Sequence, residues 1–588
     1  MKKIFFLLLM AVTVSTSMAA PVKSLQVRRK SLNALLDEYW QLTLRENPEF
    51  ASILGDKRWN DRLSDLSLEQ IETHFAGDKA YLKRFQAIDT TGFPEQEMLN
   101  KALMVRQLEN EIEDHRFKSW EMPVSQIGGI HLDFPELVSS LDFSTLKDYE
   151  DFNTRLRQFP RAIDQTIGRL RSGMADKLMP PRFLLEKVAT QAANIAAQKA
   201  EETPFAQPLN HLPAGISPDD QARVRSAILE SISAAVLPSY RRFAAFVRDE
   251  YAPQGRRDVG MWALPDGADR YAVRVRRSTT TDLSPETIHQ IGIREVARIE
   301  SEMLQIAHKL GFQDLKTLNA SIEKNPELHA QSREQILDLY RKYIGQMEKK
   351  LPQLFGRLPR AKLEVLPVEQ FREKEAAGAS YNQGTPDGSR PGHVMVNTSD
   401  PQSRKIISVE STSYHEGLPG HHLQIALAQE LPALPPFRQQ AHFTAYVEGW
   451  ALYTERLGKD VGFYTNPYSD YGRLQDEMLR AIRLVVDTGL HAKKWTREQV
   501  VQYFHDHSAI DEVEVQSETD RYIVWPAQAL GYKIGQMKIL ELRERARKEL
   551  GSKFDIRQFH DHVLDAGALP MNMLEDRINK WIASKKKG

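Results

Sequence analysis

Cysteine is absent from all 588 residues. The chain therefore has no disulfide, no thiol nucleophile and no thiol for lipid attachment. Any bound metal must be held by imidazole and carboxylate groups. An excess of charge is absent too. Lys+Arg and Asp+Glu both number 79, so the chain lacks the basic excess that nucleic acids or anionic membranes attract, and no nucleic-acid partner is expected. Internal repeats and long low-complexity tracts are missing. The one long apolar run, 4–14, follows Lys2 and Lys3 and precedes Ser17-Met18-Ala19. It is too short to span a bilayer comfortably and has the layout of a cleavable secretory leader, residues 1–19. A periplasmic or secreted protein is expected, with no stable membrane insertion after cleavage.

What is present is mostly helical pattern. Apolar spacing predicts helices over 32–44, 99–112 and 160–170, the last with Pro160 near its start. Ser217-Pro218 opens a run through Phe246, and Ser284-Pro285-Glu286 opens one through His308. In both, Ser takes the N-cap and Pro the first helical position. Strand-like alternation is confined to 271–275, 363–366 and 394–397, the last preceded by a turn-rich stretch at 386–392. These segments are expected to form one small sheet just ahead of a histidine cluster. The Pro- and Gly-containing stretch 253–269 divides the chain into an N-terminal helical lobe, 20–265, and a second lobe, 266–588, that carries the chemistry. Oligomeric state is not legible.

The cluster is Tyr414-His415-Glu416-Gly417-Leu418-Pro419-Gly420-His421-His422. Zinc-binding helices place two histidines four residues apart, one turn on the same face. Here His421 is six residues and His422 seven residues from His415. In an unbroken helix six residues turn the ring through about 600°, and seven separate the rings by about 10.5 Å along the axis. Neither pair then shares an ion. Pro419 and the two glycines allow the helix to break or bulge, which brings either His421 or His422 back toward His415. His421 is preferred and His422 is the alternative. A third ligand is expected at Glu448, one carboxylate in an otherwise apolar stretch, 443–453, unless Arg473 or Arg480 pairs with it. Zn2+ held by His415, His421 and Glu448 would leave Glu416 free as a general base.

These residues resemble the bacterial domain-of-unknown-function family 885. The resemblance rests on the His-Glu…Pro-Gly-His-His-x-Gln pattern at 415–424, on Glu448-Gly449-Trp450-Ala451-Leu452-Tyr453, and on Arg521-Tyr522. It also rests on Pro526-x-Gln528-Ala529-Leu530-Gly531-Tyr532-Lys533-x-Gly535-Gln536 and on the 387–392 turn with Asn397-Thr398. That family is similar to the gluzincin metallopeptidases, such as angiotensin-converting enzyme and thimet oligopeptidase. The resemblance implies a mostly α, two-lobed zincin-like fold with a small β-sheet beside the metal helix and a deep central cleft. It implies a zinc metallopeptidase acting on peptide substrates. The alternatives are a zinc amidase on non-peptide or cell-wall amides and a non-catalytic scaffold. It further implies that the strand with Val394, Val396 and Asn397 lies beside the substrate backbone, and that Tyr522, or failing it Tyr532, stabilises the oxyanion. Two features depart from the gluzincin pattern. The His-Glu-to-His spacing is longer, and position 452 is Leu where an Asp commonly orients a metal histidine. Glu455 or Glu410 is expected to take that orienting role. His505 and His507 are read as substrate contacts or helix packing. Arg473, Arg480 and Arg483 are read as a solvated helix face or as carboxylate binders.

Overall fold

The computed structural model describes residues 24–368, 373, 376–385, 388, 390–431 and 434–587. The leader expected at 1–19 and part of the turn expected at 386–392 lie outside them. Helix accounts for 71% of the chain and strand for 4%, so the protein is mostly α with one small sheet. The helices that bear on function are α1 (Leu25–Glu46), α2 (Glu95–His115), α3 (Leu146–Ala175), α4 (Pro218–Ser231), α5 (Gly267–Thr279) and α6 (Pro285–Lys309). They continue with α7 (Val409–Glu416), α8 (His421–Gln429), α9 (Thr444–Asp460), α10 (Pro467–Ala492), α11 (Glu512–Val524) and α12 (Leu530–Leu550).

Helices α4 and α6 begin as their sequences predict. The Ser217 and Ser284 hydroxyls accept from the backbone N–H of Asp220 and Thr287, with Pro218 and Pro285 in the first turn. The run expected through Phe246 passes from α4 through a π-helical turn, Ile232–Val236, into a further helix, Leu237–Phe246.

Two expectations are corrected. Pro160 lies inside the 30-residue α3 rather than near a helix start. One continuous buried face carries Phe152, Leu156 and Phe159 before the proline and Ile163, Ile167 and Leu170 after it. Packing of that face outweighs the ~3 kcal/mol an interior proline costs. The segment 271–275 is helix α5, not strand. Tyr271 and Val275 bury on one side and Val273 on the other, because α5 is packed against α9, α10 and α12 at once. Burial on opposite sides of a helix mimics alternation.

The sheet has the order β1-β3-β2, with β1 Leu363–Pro367, β2 Ala379–Asn382 and β3 Gly392–Val396. β1 runs parallel to β3, setting Val365 opposite Val394. β2 runs antiparallel to it, setting Tyr381 opposite the same residue. The expected 363–366 and 394–397 strands are thus present, and β2 takes the place given to 271–275.

One apolar cluster is drawn entirely from residues between Leu63 and Ala252. A larger one gathers Val394, Tyr414, Leu423, Trp450, Tyr453 and Ile539 around α7–α9, α12 and the sheet. Helices α9 and α12 cross at glycines: a Cβ on Gly535 would sit 1.8 Å from the Ala445 carbonyl oxygen. Beside that crossing, Lys533 is buried and bonds Glu477 at 2.6 Å and Glu295 at 3.0 Å, while Arg298 and Arg473 also reach Glu477. This network ties α6, α10 and α12 together and is satisfied internally, as buried charge requires.

A candidate metal centre

The helix of the cluster breaks. α7 ends at Glu416, α8 begins at His421, and Gly417-Leu418-Pro419-Gly420 forms the connection. Glycine is obligatory at the second bend: a Cβ on Gly420 would lie 1.9 Å from the His415 carbonyl oxygen and 2.4 Å from that of Tyr414. Helix α9 holds the break from behind. The Trp450 indole donates to the Pro419 carbonyl at 2.9 Å, and the Thr454 hydroxyl donates to that of Tyr414 at 3.1 Å.

The same helix supplies carboxylates. Glu448 Oε2 lies 3.6 Å from His415 Nε2 and 3.5 Å from His421 Nε2. The two imidazole rings stand at 90° with centroids 4.8 Å apart. One ligand atom from each of the three residues falls within 4.8 Å of the others. Two turns after Glu448 on α9, Glu455 Oε1 lies 2.7 Å from His415 Nδ1, which turns Nε2 toward Glu448. Burial opposes a charge on His415, but Glu448, Glu455 and Glu416 raise it to about 10. Burial would raise Glu448, yet the two imidazoles hold it well below the ordinary carboxylate range. Two imidazole nitrogens and one carboxylate are a donor set suited to zinc. His421 Nδ1 is buried without a hydrogen-bond partner among the described residues.

Glu416 is half-buried at the end of α7 and makes no hydrogen bond or ion pair with any described residue. Arg473 and Arg480 do not take Glu448: Arg473 pairs with Asp470 and Glu477, and Arg480 with Asp476. Arg483 is likewise buried and pairs with Glu518. The solvated face expected for these arginines is corrected, since α10 is buried on nearly all sides.

Other expected site residues are placed elsewhere. His422 turns away from the cluster. Its Nε2 faces the Ala361 carbonyl at 3.2 Å and its Nδ1 the Tyr381 hydroxyl at 3.0 Å, and burial pushes it down to about 4. Tyr522 is fully buried; its hydroxyl donates to Glu518 and accepts from Arg483 Nε at 3.0 Å. A hydroxyl so engaged is not available to a substrate oxyanion. The Tyr532 hydroxyl meets Arg521 at 3.5 Å. Val394 and Val396 are fully buried in the central strand, whose two edges are taken by β1 and β2, so β3 cannot add a substrate strand. The Asn397 amide donates to the carbonyls of Glu373 and Ala376, pinning a loop. Glu410 accepts from Tyr414, Ser469 and the Tyr464 N–H. His505 and His507 pair with Glu512 and Glu300.

Sequence reasoning missed His442. It stands two residues before α9 and is near enough to Glu448 and His421 to feel both charges. It is solvent-exposed, yet protein crowds it enough that burial lowers its imidazole. It lines a cavity of about 320 Å³ with Tyr39, Trp40, Asn110 and Phe443. A histidine six residues ahead of the buried glutamate was the available signal.

A search of curated proteins finds no match. Among solved structures, the chain is similar to a protein from Colwellia psychrerythraea described as a candidate lipoprotein. The TM-score is 0.90 at 30% identity, over 95% of this chain and 100% of that one. A protein from Shewanella oneidensis, described as a candidate lipoprotein of unknown function, shares the fold, with a TM-score of 0.74 at 19% identity over 94% and 99% of the two chains. No helix among the described residues is long and apolar enough to cross a membrane, and this sequence offers no cysteine for lipid attachment. The family model "Bacterial protein of unknown function (DUF885)" matches residues 48–578, and the chain belongs to that family.

Proposed function

We propose that the protein is a zinc-dependent hydrolase that cleaves amide bonds in oligopeptides, working outside the cytoplasm. The observation that carries this reading is the convergence of His415, His421 and Glu448 from three helices beside a carboxylate, Glu416, to which no described residue hydrogen-bonds or ion-pairs. The sequence-level likeness to gluzincins and the leader-like pattern of residues 1–19 point the same way.

His415 and His421 would each offer Nε2 to the ion and Glu448 a carboxylate oxygen. A bound zinc would supply Lewis acidity and make a water molecule nucleophilic near neutral pH. Glu455 fixes the His415 tautomer by accepting from Nδ1. Glu416 takes the proton of the attacking water and passes it to the leaving amine nitrogen. Tyr522 and β3 are not suited to the tasks the gluzincin likeness gives them. In their place, we assign the donor to the developing oxyanion to the exposed His442, which lies near enough to Glu448 and His421 to feel their charges. β2, against which α7 packs, is an edge strand of its sheet and takes the role of substrate-pairing strand.

The test is metal dependence. Protein purified without chelator is assayed against a fluorogenic peptide library, stripped of metal, and reloaded. Hydrolysis is expected to vanish on stripping and to return with zinc; full activity in metal-free protein would contradict the reading.

A further inference from the structure

Helix α5 presents a stripe that the sequence pattern concealed. Arg270, Arg274 and Ser278 recur at four-residue spacing, and all three line one pocket of about 420 Å³. Arg256 lines the same pocket from the chain segment ahead of α5. Among the described residues none of these three arginines forms an ion pair, although most arginines of the protein do. Arg270 uses Nε on the Pro265 carbonyl, and Arg274 uses one Nη on the Ser119 hydroxyl at 3.3 Å. Their remaining guanidinium donors meet no described acceptor, and they are not sealed in protein. Arg256 bonds only carbonyls, those of Met179, Asp258 and Gly260. The one carboxylate in the lining, Asp114, is already taken by Arg277.

Arg274 repels the charge on Arg270. The i,i+4 pair Arg270 and Arg274 is destabilising on a helix unless an opposite charge offsets it. Burial lowers each guanidinium, Arg256 to about 10, and nearby Asp258, Asp266, Glu121 and Glu111 offset only part of that effect. The remaining walls are mostly apolar, with Phe117, Met122, Leu264, Ile523 and the half-exposed Trp525 at 51%, interrupted by Ser119, Ser125 and Gln528. Guanidinium donors set in apolar walls fit an anion carried on an apolar body. A bare inorganic ion would leave that surface unused.

We propose that this pocket is a binding site for an organic carboxylate with an apolar or aromatic body, gripped by Arg270 and Arg274 with Arg256 supplying further positive field. A free acid and the C-terminus of a peptide share this chemistry. The site does not depend on the hydrolytic reading, because binding is measured without turnover.

Calorimetric titration of the full mature protein with N-acetylphenylalanine, its C-terminal amide, the tripeptide Ala-Ala-Phe and inorganic phosphate tests the assignment. The acid or the tripeptide is expected to bind, the tighter of the two identifying the source, with affinity falling as salt rises. The amide and phosphate are expected to bind at least tenfold more weakly. Arg274→Gln, which leaves the Arg270 and Arg256 backbone bonds in place, is expected to cost at least tenfold, with Arg274→Lys in between. Melting temperature is read on both variants so that a folding defect is recognised. No binding by either acid, equal affinity for acid and amide, phosphate binding as tightly as the acids, or unchanged affinity in folded Arg274→Gln would each overturn the proposal.

Discussion

At the scale of single residues, the centre divides two adjacent histidines between different tasks. His421 faces Glu448, whereas His422 is spent on Ala361 and Tyr381. His421→Ala is therefore expected to abolish stoichiometric zinc, and His422→Ala to leave it at one per chain, measured by plasma mass spectrometry; the reverse pattern would reassign the ligand. Glu455→Gln keeps the shape but removes the charge that orients His415. Metal affinity is expected to drop about 10- to 100-fold, read by chelator competition. Much of this was legible. The residue types, the break at Pro419-Gly420 and the apolar setting of Glu448 all pointed to the cluster. The preference for His421 over His422 agrees with the cluster, but spacing alone left both open, because the choice depends on Gly420 packing against the Tyr414 and His415 carbonyls, a contact made through the fold. Tyr522 was misjudged for a related reason: a motif shows that a tyrosine is present, not that Glu518 and Arg483 already occupy its hydroxyl.

At the scale of elements, most helices and two of the three strands were legible, at 363–366 and 394–397. Ser-Pro starts placed α4 and α6, since capping is local chemistry. α5 imitated a strand because burial on two sides overrode its helical period. β2 was missed because its four residues alternate only between half-buried and exposed. The α9–α12 crossing explains why glycines recur there. Gly535→Ala would press a methyl into the Ala445 carbonyl and is expected to cost about 1–3 kcal/mol or more. Gly168→Ala is the control. It sits exposed within α3 with nothing near its missing Cβ, and is expected to stabilise by about 0.5–1 kcal/mol. Urea unfolding of the two variants should move in opposite directions; equal shifts would contradict this account of the crossing.

At the scale of the whole molecule, the mostly α architecture followed from composition and period, while the joining of distant segments did not. His491 shows how far such joins reach. Its Nδ1 accepts from the Met261 N–H at 3.0 Å and its Nε2 faces the Tyr522 carbonyl at 3.0 Å, so a second ring proton would meet a donor. Burial pushes this imidazole down to about 3 from an ordinary 6.5. Between those values the unfolded chain binds more protons than the folded one. The contribution to stability is complete above pH 6.5 and is lost as pH falls toward 3. The urea midpoint is expected to decline with acidification below about pH 6.5, with up to ~1.4 kcal/mol per pH unit from this residue. His491→Asn should flatten that decline, and an unchanged slope would contradict the assignment.

Zinc and Glu416 act as one unit in the proposed hydrolysis, and a paired experiment separates their contributions. Wild-type protein and Glu416→Gln are purified without chelator, their zinc is counted, and their rates on the same peptide are compared. One zinc per chain is expected in both, with the rate falling by about 10²- to 10⁴-fold in the variant. Substoichiometric zinc in the wild type, or equal rates at equal zinc, would contradict the account.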